Sequence, residues 1–171
     1  MIVLGIDPGI ATTGYGLIRE APDGRLTTLT YGTLLTSKTD VLPERLYSLR
    51  QQLMALVQEW RPTESAVETL FFASNLKTAM TVGEARGVVL VTLHESGIPI
   101  AEYTPLQVKQ AITGYGQADK KQIQLTVQML LSLDQLPRPD DAADALAIAI
   151  THLHAARYNR LSDKVEQTPP L

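Results

Sequence analysis

Ile2-Val3-Leu4-Gly5-Ile6-Asp7-Pro8-Gly9 begins as an apolar run and stops at an acid and a turn. A run of this length, closed by Pro-Gly, reads as a buried strand over residues 2–6. Residues 14–20, Gly-Tyr-Gly-Leu-Ile-Arg-Glu, read as a second strand. Residues 26–35 alternate loosely and are rich in Thr, Leu and Tyr, the composition of a third. Pro22-Asp23-Gly24 supplies the turn between them. Three strands joined by short loops predict an antiparallel meander.

The period then changes. Leu46, Leu49, Leu53, Leu56, Val57 and Trp60 recur at helical spacing, with Pro43 near the start and Pro62 just past the end, so residues 42–60 are a helix. Ser65-Ala66-Val67-Glu68 is a short strand, residues 74–95 a long helix, and Ile98 to Tyr103 the last strand. Helices are expected over residues 104–113, 119–133 and 140–157. Three strands, helix, strand, helix, strand and helices make an α/β domain with a mixed sheet over residues 1–157. Residues 158–171 read as a loose polar tail. Right-handed crossovers place consecutive parallel strands side by side. The C-terminal ends of the first and fourth strands, Asp7 and Glu68, should then face one crevice, where open α/β sheets bind ligands.

Asp7 alone would be an ordinary acid ending a strand before a turn. Glu68 is less ordinary, because it closes an apolar strand where an enclosed carboxylate needs a partner or a metal. The stretch Asp140-Asp141-Ala142-Ala143-Asp144-Ala145-Leu146-Ala147-Ile148-Ala149-Ile150 is apolar nearly all round apart from its acids, the mark of a buried helix. One acid at its start serves as a cap. Asp144 lies a turn inside, where Asp is a poor helix former. It shares a face with Asp141 at i, i+3 or with Asp140 at i, i+4, and spacing leaves both open. Oxygen ligands without cysteine select magnesium, with manganese as a substitute. Two such ions stabilise the attacking and leaving oxygens of a displacement at phosphorus, so phosphodiester hydrolysis is the expected reaction.

Bulk properties set loose bounds. The 171 residues suffice for one domain with a sizeable core. There is no cysteine, which excludes disulfides and thiolate metal sites. No apolar run reaches the length of a membrane span and no signal peptide is visible, so a cytoplasmic location is expected. The net charge of −3 argues mildly against nucleic acid. Setting aside the four acids assigned to metal leaves 15 basic residues against 18 − 4 = 14 acidic ones.

Several stretches resemble the RuvC family of Holliday-junction resolvases. They are Ile2 to Gly9 with Thr13-Gly14-Tyr15-Gly16, Val67-Glu68-Thr69-Leu70-Phe71, Gly83-Glu84-Ala85-Arg86-Gly87, Val108-Lys109-Gln110, and Asp141 through His152. The match runs in order from residue 1 to about 157. The resemblance implies an RNase H-like fold, a five-stranded mixed sheet flanked by helices. It implies that Asp7, Glu68, Asp141 and Asp144 are the catalytic, magnesium-binding acids, with Asp140 as a cap. It also implies a homodimer that nicks two opposed strands of four-way junction DNA, leaving 5′-phosphate and 3′-hydroxyl ends. The partner it implies is a RuvA- and RuvB-type branch-migration complex acting in recombination and repair.

For DNA binding, Lys120 stands in the first turn of a helix capped by Asp119, with Gln122 at the capping-box position. A phosphate at that helix start would suit both the lysine and the helix N-terminus. The resemblance gives phosphate roles to Lys109 and Lys120 and leaves Lys121 as a solvated surface residue. It makes Phe71 an aromatic that stacks on bases, with Phe72 assigned to packing. Asn75, Lys77 and Arg86 are candidate backbone contacts, while Ser74 departs from the family's lysine. In the helix over 74–95, Ala79, Gly83 and Gly87 form a small-residue stripe, and apolar residues cover more than one face. That helix is expected to form the core of a two-fold dimer. His94, His152 and His154 are expected to have no catalytic role. Rival readings are a nucleotide-binding protein of the actin and sugar-kinase type, which needs two lobes, and a non-catalytic junction-binding module, which does not need the acids.

Overall fold

A computed structural model describes residues 1–69 and 76–166 of the chain, with the side chains of 76–78 and 161–166 left aside. Five strands form one sheet: β1 (Ile2–Asp7), β2 (Thr12–Glu20), β3 (Leu26–Leu35), β4 (Glu64–Glu68) and β5 (Ile100–Tyr103). Their order is β3-β2-β1-β4-β5. β1 to β3 are the expected antiparallel meander, and β4 and β5 add parallel to β1 and to each other. The helices are α1 (Leu42–Trp60), α2 (Leu76–Glu95), α3 (Pro105–Thr113), α4 (Lys120–Leu130) and α5 (Asp140–Glu166).

Alternation along the strands sorts the core into two layers. Val3, Ile18 and Ala66 pack with Val108, Ile123, Leu146 and Ile150, under α3, α4 and α5. Leu4, Ile6, Leu17 and Val67 pack with Leu49, Leu53, Val89 and Leu93, under α1 and α2. The α5 interval from Ala145 to Ile150 is fully buried, as its apolar composition predicts.

Two boundaries differ from the sequence reading. α4 stops at Leu130 rather than 133, because Ser132 adopts a positive φ of 50°. α5 continues past residue 157 to Glu166, so the front of the supposed tail is helical. Residues 158–166 contain no glycine or proline, and Arg160 ties this end to Glu20 of β2 at 2.7 Å. Such a stretch contains no residue that would stop the helix at 157.

Candidate active site

The sheet register brings the first two acids together. Val3 lies on the α5 side of the sheet, so Gly5 and Asp7 follow it there at period two. Ala66 shares that side, and so therefore does Glu68. Ile6 pairs with Val67 in the parallel β1–β4 ladder, which makes Asp7 and Glu68 neighbours at two adjacent strand ends. The turn after Asp7 is locked by the buried Thr13. Its hydroxyl donates to the Gly9 carbonyl at 2.6 Å and accepts from the Gly9 N–H at 3.3 Å.

The other two acids arrive on α5. That helix crosses β1 and β2 at very close range, and two strand glycines make the approach possible. A Cβ on Gly5 would fall onto the carbonyl oxygen of Ala145, and one on Gly14 onto that of Asp141. Ala149, fully buried, also lies against Gly5 in this seam. The first turn of α5 thereby rests on β2 beside the end of β1. The sequence contains this signal, since Gly5, Gly14 and Gly16 sit where strands prefer larger residues, yet their purpose is visible only with the helix in place.

The acids act on one another electrostatically. Burial pushes Asp7 up to about 8, helped by the charges of Glu68, Asp144 and Asp141 and opposed by Lys120. Burial also pushes Glu68 up to about 7, with Asp144 adding to the rise and Lys109 opposing it. Asp144 is raised as well, first by burial, while Lys120 pulls against that rise. Like charges converging on one half-buried crevice disfavour ionisation of each member.

Lys120 Nζ lies 3.2 Å from Asp144 and 3.4 Å from Asp140. Asp119 caps α4 in the predicted capping box with Gln122. Asp140 was expected to be a cap. Its carboxylate instead accepts from Gln124 Nε2 at 2.9 Å and pairs with Lys120, so it clamps α4 to α5. Glu68, Lys109, Lys120 and Asp144 line one pocket of about 240 Å³, floored by Val108, Ile123 and Ala147.

Among the described residues, no three acids or imidazoles are close enough to grip an ion as they stand. The donor chemistry nonetheless suits a hard divalent cation: carboxylate oxygens only, mutually repelling, with a lysine now supplying the compensating charge. Asp7, Glu68, Asp141 and Asp144 are the groups that could hold one.

Of the remaining candidates, Phe71 and Asn75 lie outside the described residues, as does the side chain of Lys77. Arg86 is directed inward. Its Nε donates to the Glu68 main-chain carbonyl at 3.2 Å and its guanidinium pairs with Glu102. His152 stands apart from the acids, hydrogen-bonded to Tyr103 at 2.9 Å and Glu64 at 2.5 Å, where it ties α5 to β4 and β5. No helix is long and apolar enough to cross a membrane among the described residues.

A single α/β domain with this strand order, and with acids on two adjacent strand ends and on the helix crossing them, is an RNase H-like fold. The profile of the crossover junction endodeoxyribonuclease RuvC matches residues 3–152, and the chain belongs to the RuvC family. It is 59% identical over 159 residues to the crossover junction endodeoxyribonuclease RuvC of Syntrophomonas wolfei, covering 93% of this chain and 92% of that one. The Thermus thermophilus RuvC structure superposes with a TM-score of 0.86 at 39% identity, over 93% of this chain and 97% of that chain. T. thermophilus RuvC in complex with a Holliday junction substrate superposes at 0.84 and 37%, over 92% and 96%.

Proposed function

We propose that this chain is a metal-dependent endonuclease that resolves four-way DNA junctions. The observation that carries the reading is the convergence of Asp7, Glu68 and Asp144 on one half-buried crevice flanked by Lys109 and Lys120. Asp7, Glu68, Asp141 and Asp144 would hold magnesium, or manganese in its place, and that metal would supply Lewis-acid activation and charge stabilisation at the scissile phosphate. Lys120 releases Asp144 and turns to a phosphate oxygen, and Lys109, which lines the same pocket, contacts the backbone. Phe71 stacks on unpaired bases, and Asn75 and Lys77 meet the DNA backbone. The products are ligatable nicks with 5′-phosphate and 3′-hydroxyl ends.

Two copies act together on a symmetric junction. Met80 and Val91 are exposed on α2, in line with Glu84 and Gly87, and this apolar face joins the two copies about a two-fold axis. The dimer works with a RuvA- and RuvB-type branch-migration complex in recombination and repair, in the cytoplasm.

The test uses a labelled synthetic four-way junction and a matching duplex, with magnesium, manganese or EDTA. Paired symmetric nicks on the junction alone, absent in EDTA, are expected. Binding without nicking in either metal would favour the non-catalytic junction-binding module.

A further inference from the structure

Glu68 is the last residue of β4, and its backbone is held unequally. On the β1 side the ladder ends one residue earlier, at Ile6 with Val67. On the β5 side Glu68 pairs with Tyr103, and the Thr69 N–H donates to the Tyr103 carbonyl at 2.8 Å. A strand end held from one side frays more readily than a strand interior. Arg86 reaches this point from the middle of α2. Its Nε donates to the Glu68 carbonyl oxygen, and the guanidinium also pairs with Glu102. Glu102 alternates with Tyr103 along β5 and so stands on the α2 side of the sheet. The Arg86 side chain is only 18% exposed, while that of its partner Glu102 is 47% exposed.

We propose that Arg86 is a positioning residue for Glu68, bracing the end of β4 through the Glu68 carbonyl while Glu102 holds the guanidinium in place. This rests on the reading of Glu68 as a metal-holding acid. A guanidinium presents several N–H donors in a rigid plane, so one side chain serves a carbonyl and a carboxylate at once. Lysine has the charge without that geometry. The role differs from a contact to DNA, which would require Arg86 to abandon both partners. It also explains why a cation so close to the candidate site is turned away from the crevice: it acts on the backbone of an acid from behind the sheet.

The full chain carrying Arg86→Ala, Arg86→Lys or Glu102→Gln should be compared with the unaltered protein in three measurements. These are junction affinity in EDTA, the manganese concentration giving a half-maximal thermal shift without DNA, and the single-turnover cleavage rate. For Arg86→Ala, junction affinity stays within about twofold, while the manganese midpoint rises and the rate falls by roughly 10–100-fold, the usual scale for a residue supporting a metal ligand. Arg86→Lys and Glu102→Gln fall between, and they carry the test if the alanine variant does not fold. Tenfold weaker junction binding with an unchanged manganese midpoint would make Arg86 a DNA contact and overturn the proposal. Unaltered rate and midpoint in all three variants would overturn it equally. Glu68→Gln, run in parallel, separates the failures. If it is inactive while the Arg86 variants behave normally, only the positioning role is wrong. If it cuts normally, the reading of the site itself is wrong.

Discussion

Asp7 is half-buried and feels the charges of Glu68, Asp144 and Asp141. Asp7→Asn removes one charge from that cluster and one oxygen donor from the metal site. Cleavage of a junction should fall by about 10³-fold or more, the order expected when several kcal/mol of metal-centred stabilisation is lost. Junction affinity in EDTA should hold or improve, which a gel-shift titration reads directly. Stability follows with a definite sign. The folded-state values of Asp7 and Glu68 lie above those of the unfolded chain, so the native state binds more protons. Stability in EDTA therefore declines as pH rises from about 4 towards 8, and Asp7→Asn should flatten that decline. Thermal melts of both proteins at pH 5 and pH 8 test this; an equal fall in the two would show that Asp7 is not its source. Lys120→Ala should weaken junction binding at low salt and reduce the slope of log affinity against log salt by about one, the signature of a lost phosphate contact.

At the level of the element, α5 depends on the glycines beneath it. Gly5→Ala places a methyl group against the helix backbone at Ala145, where no side-chain rotamer offers relief. A loss of about 2–3 kcal/mol is expected, seen as a melting temperature lower by roughly 5–10 °C. Gly14→Ala presses on Asp141 itself and should shift the manganese response more than its effect on stability predicts. Glu68 and Asp144 stand out in the sequence because each breaks a local rule: Glu68 closes an apolar strand, and Asp144 sits inside an apolar helix, whereas Asp7 is an ordinary strand-end acid until the resemblance marks it. Spacing left Asp140 and Asp141 unresolved as partners for Asp144, because two spacings serve one helix face equally. The clamp made by Asp140, Lys120 and Gln124 was hidden because it joins helices whose crossing depends on the rest of the fold. Arg86 was hidden for a similar reason: its partners lie 18 residues before it and on a separate strand, and nothing local marks it as inward-facing. Helix ends were read least well, since α5 passes residue 157 without any breaker.

For the whole molecule, the meander, the mixed sheet and the shared crevice of the first and fourth strands follow from period, connection length and the right-handed crossover rule, while the order β3-β2-β1-β4-β5 and the two core layers come with the structure. The net charge of −3 says little about any one surface, because it averages a clustered set of acids with Lys109 and Lys120 at the same pocket. Pairing of two copies is testable through the exposed face of α2. Met80→Glu with Val91→Lys leaves the buried face of Ala85, Val89 and Leu93 intact. The doubly substituted protein should run as a monomer in light scattering and convert paired nicks into single ones. A dimer of unchanged mass would show that α2 is not the contact.

The position of α5 along the chain has a consequence for how the protein is made. The sheet face formed by Val3, Ile18 and Ala66 is covered by residues translated long after it, from Val108 to Leu153. Until that helix has been translated, this face lacks the segment that covers it. The segment that closes the core is also the one bearing Asp141 and Asp144. A half-synthesised chain therefore has neither a finished interior nor the two acids that this helix carries.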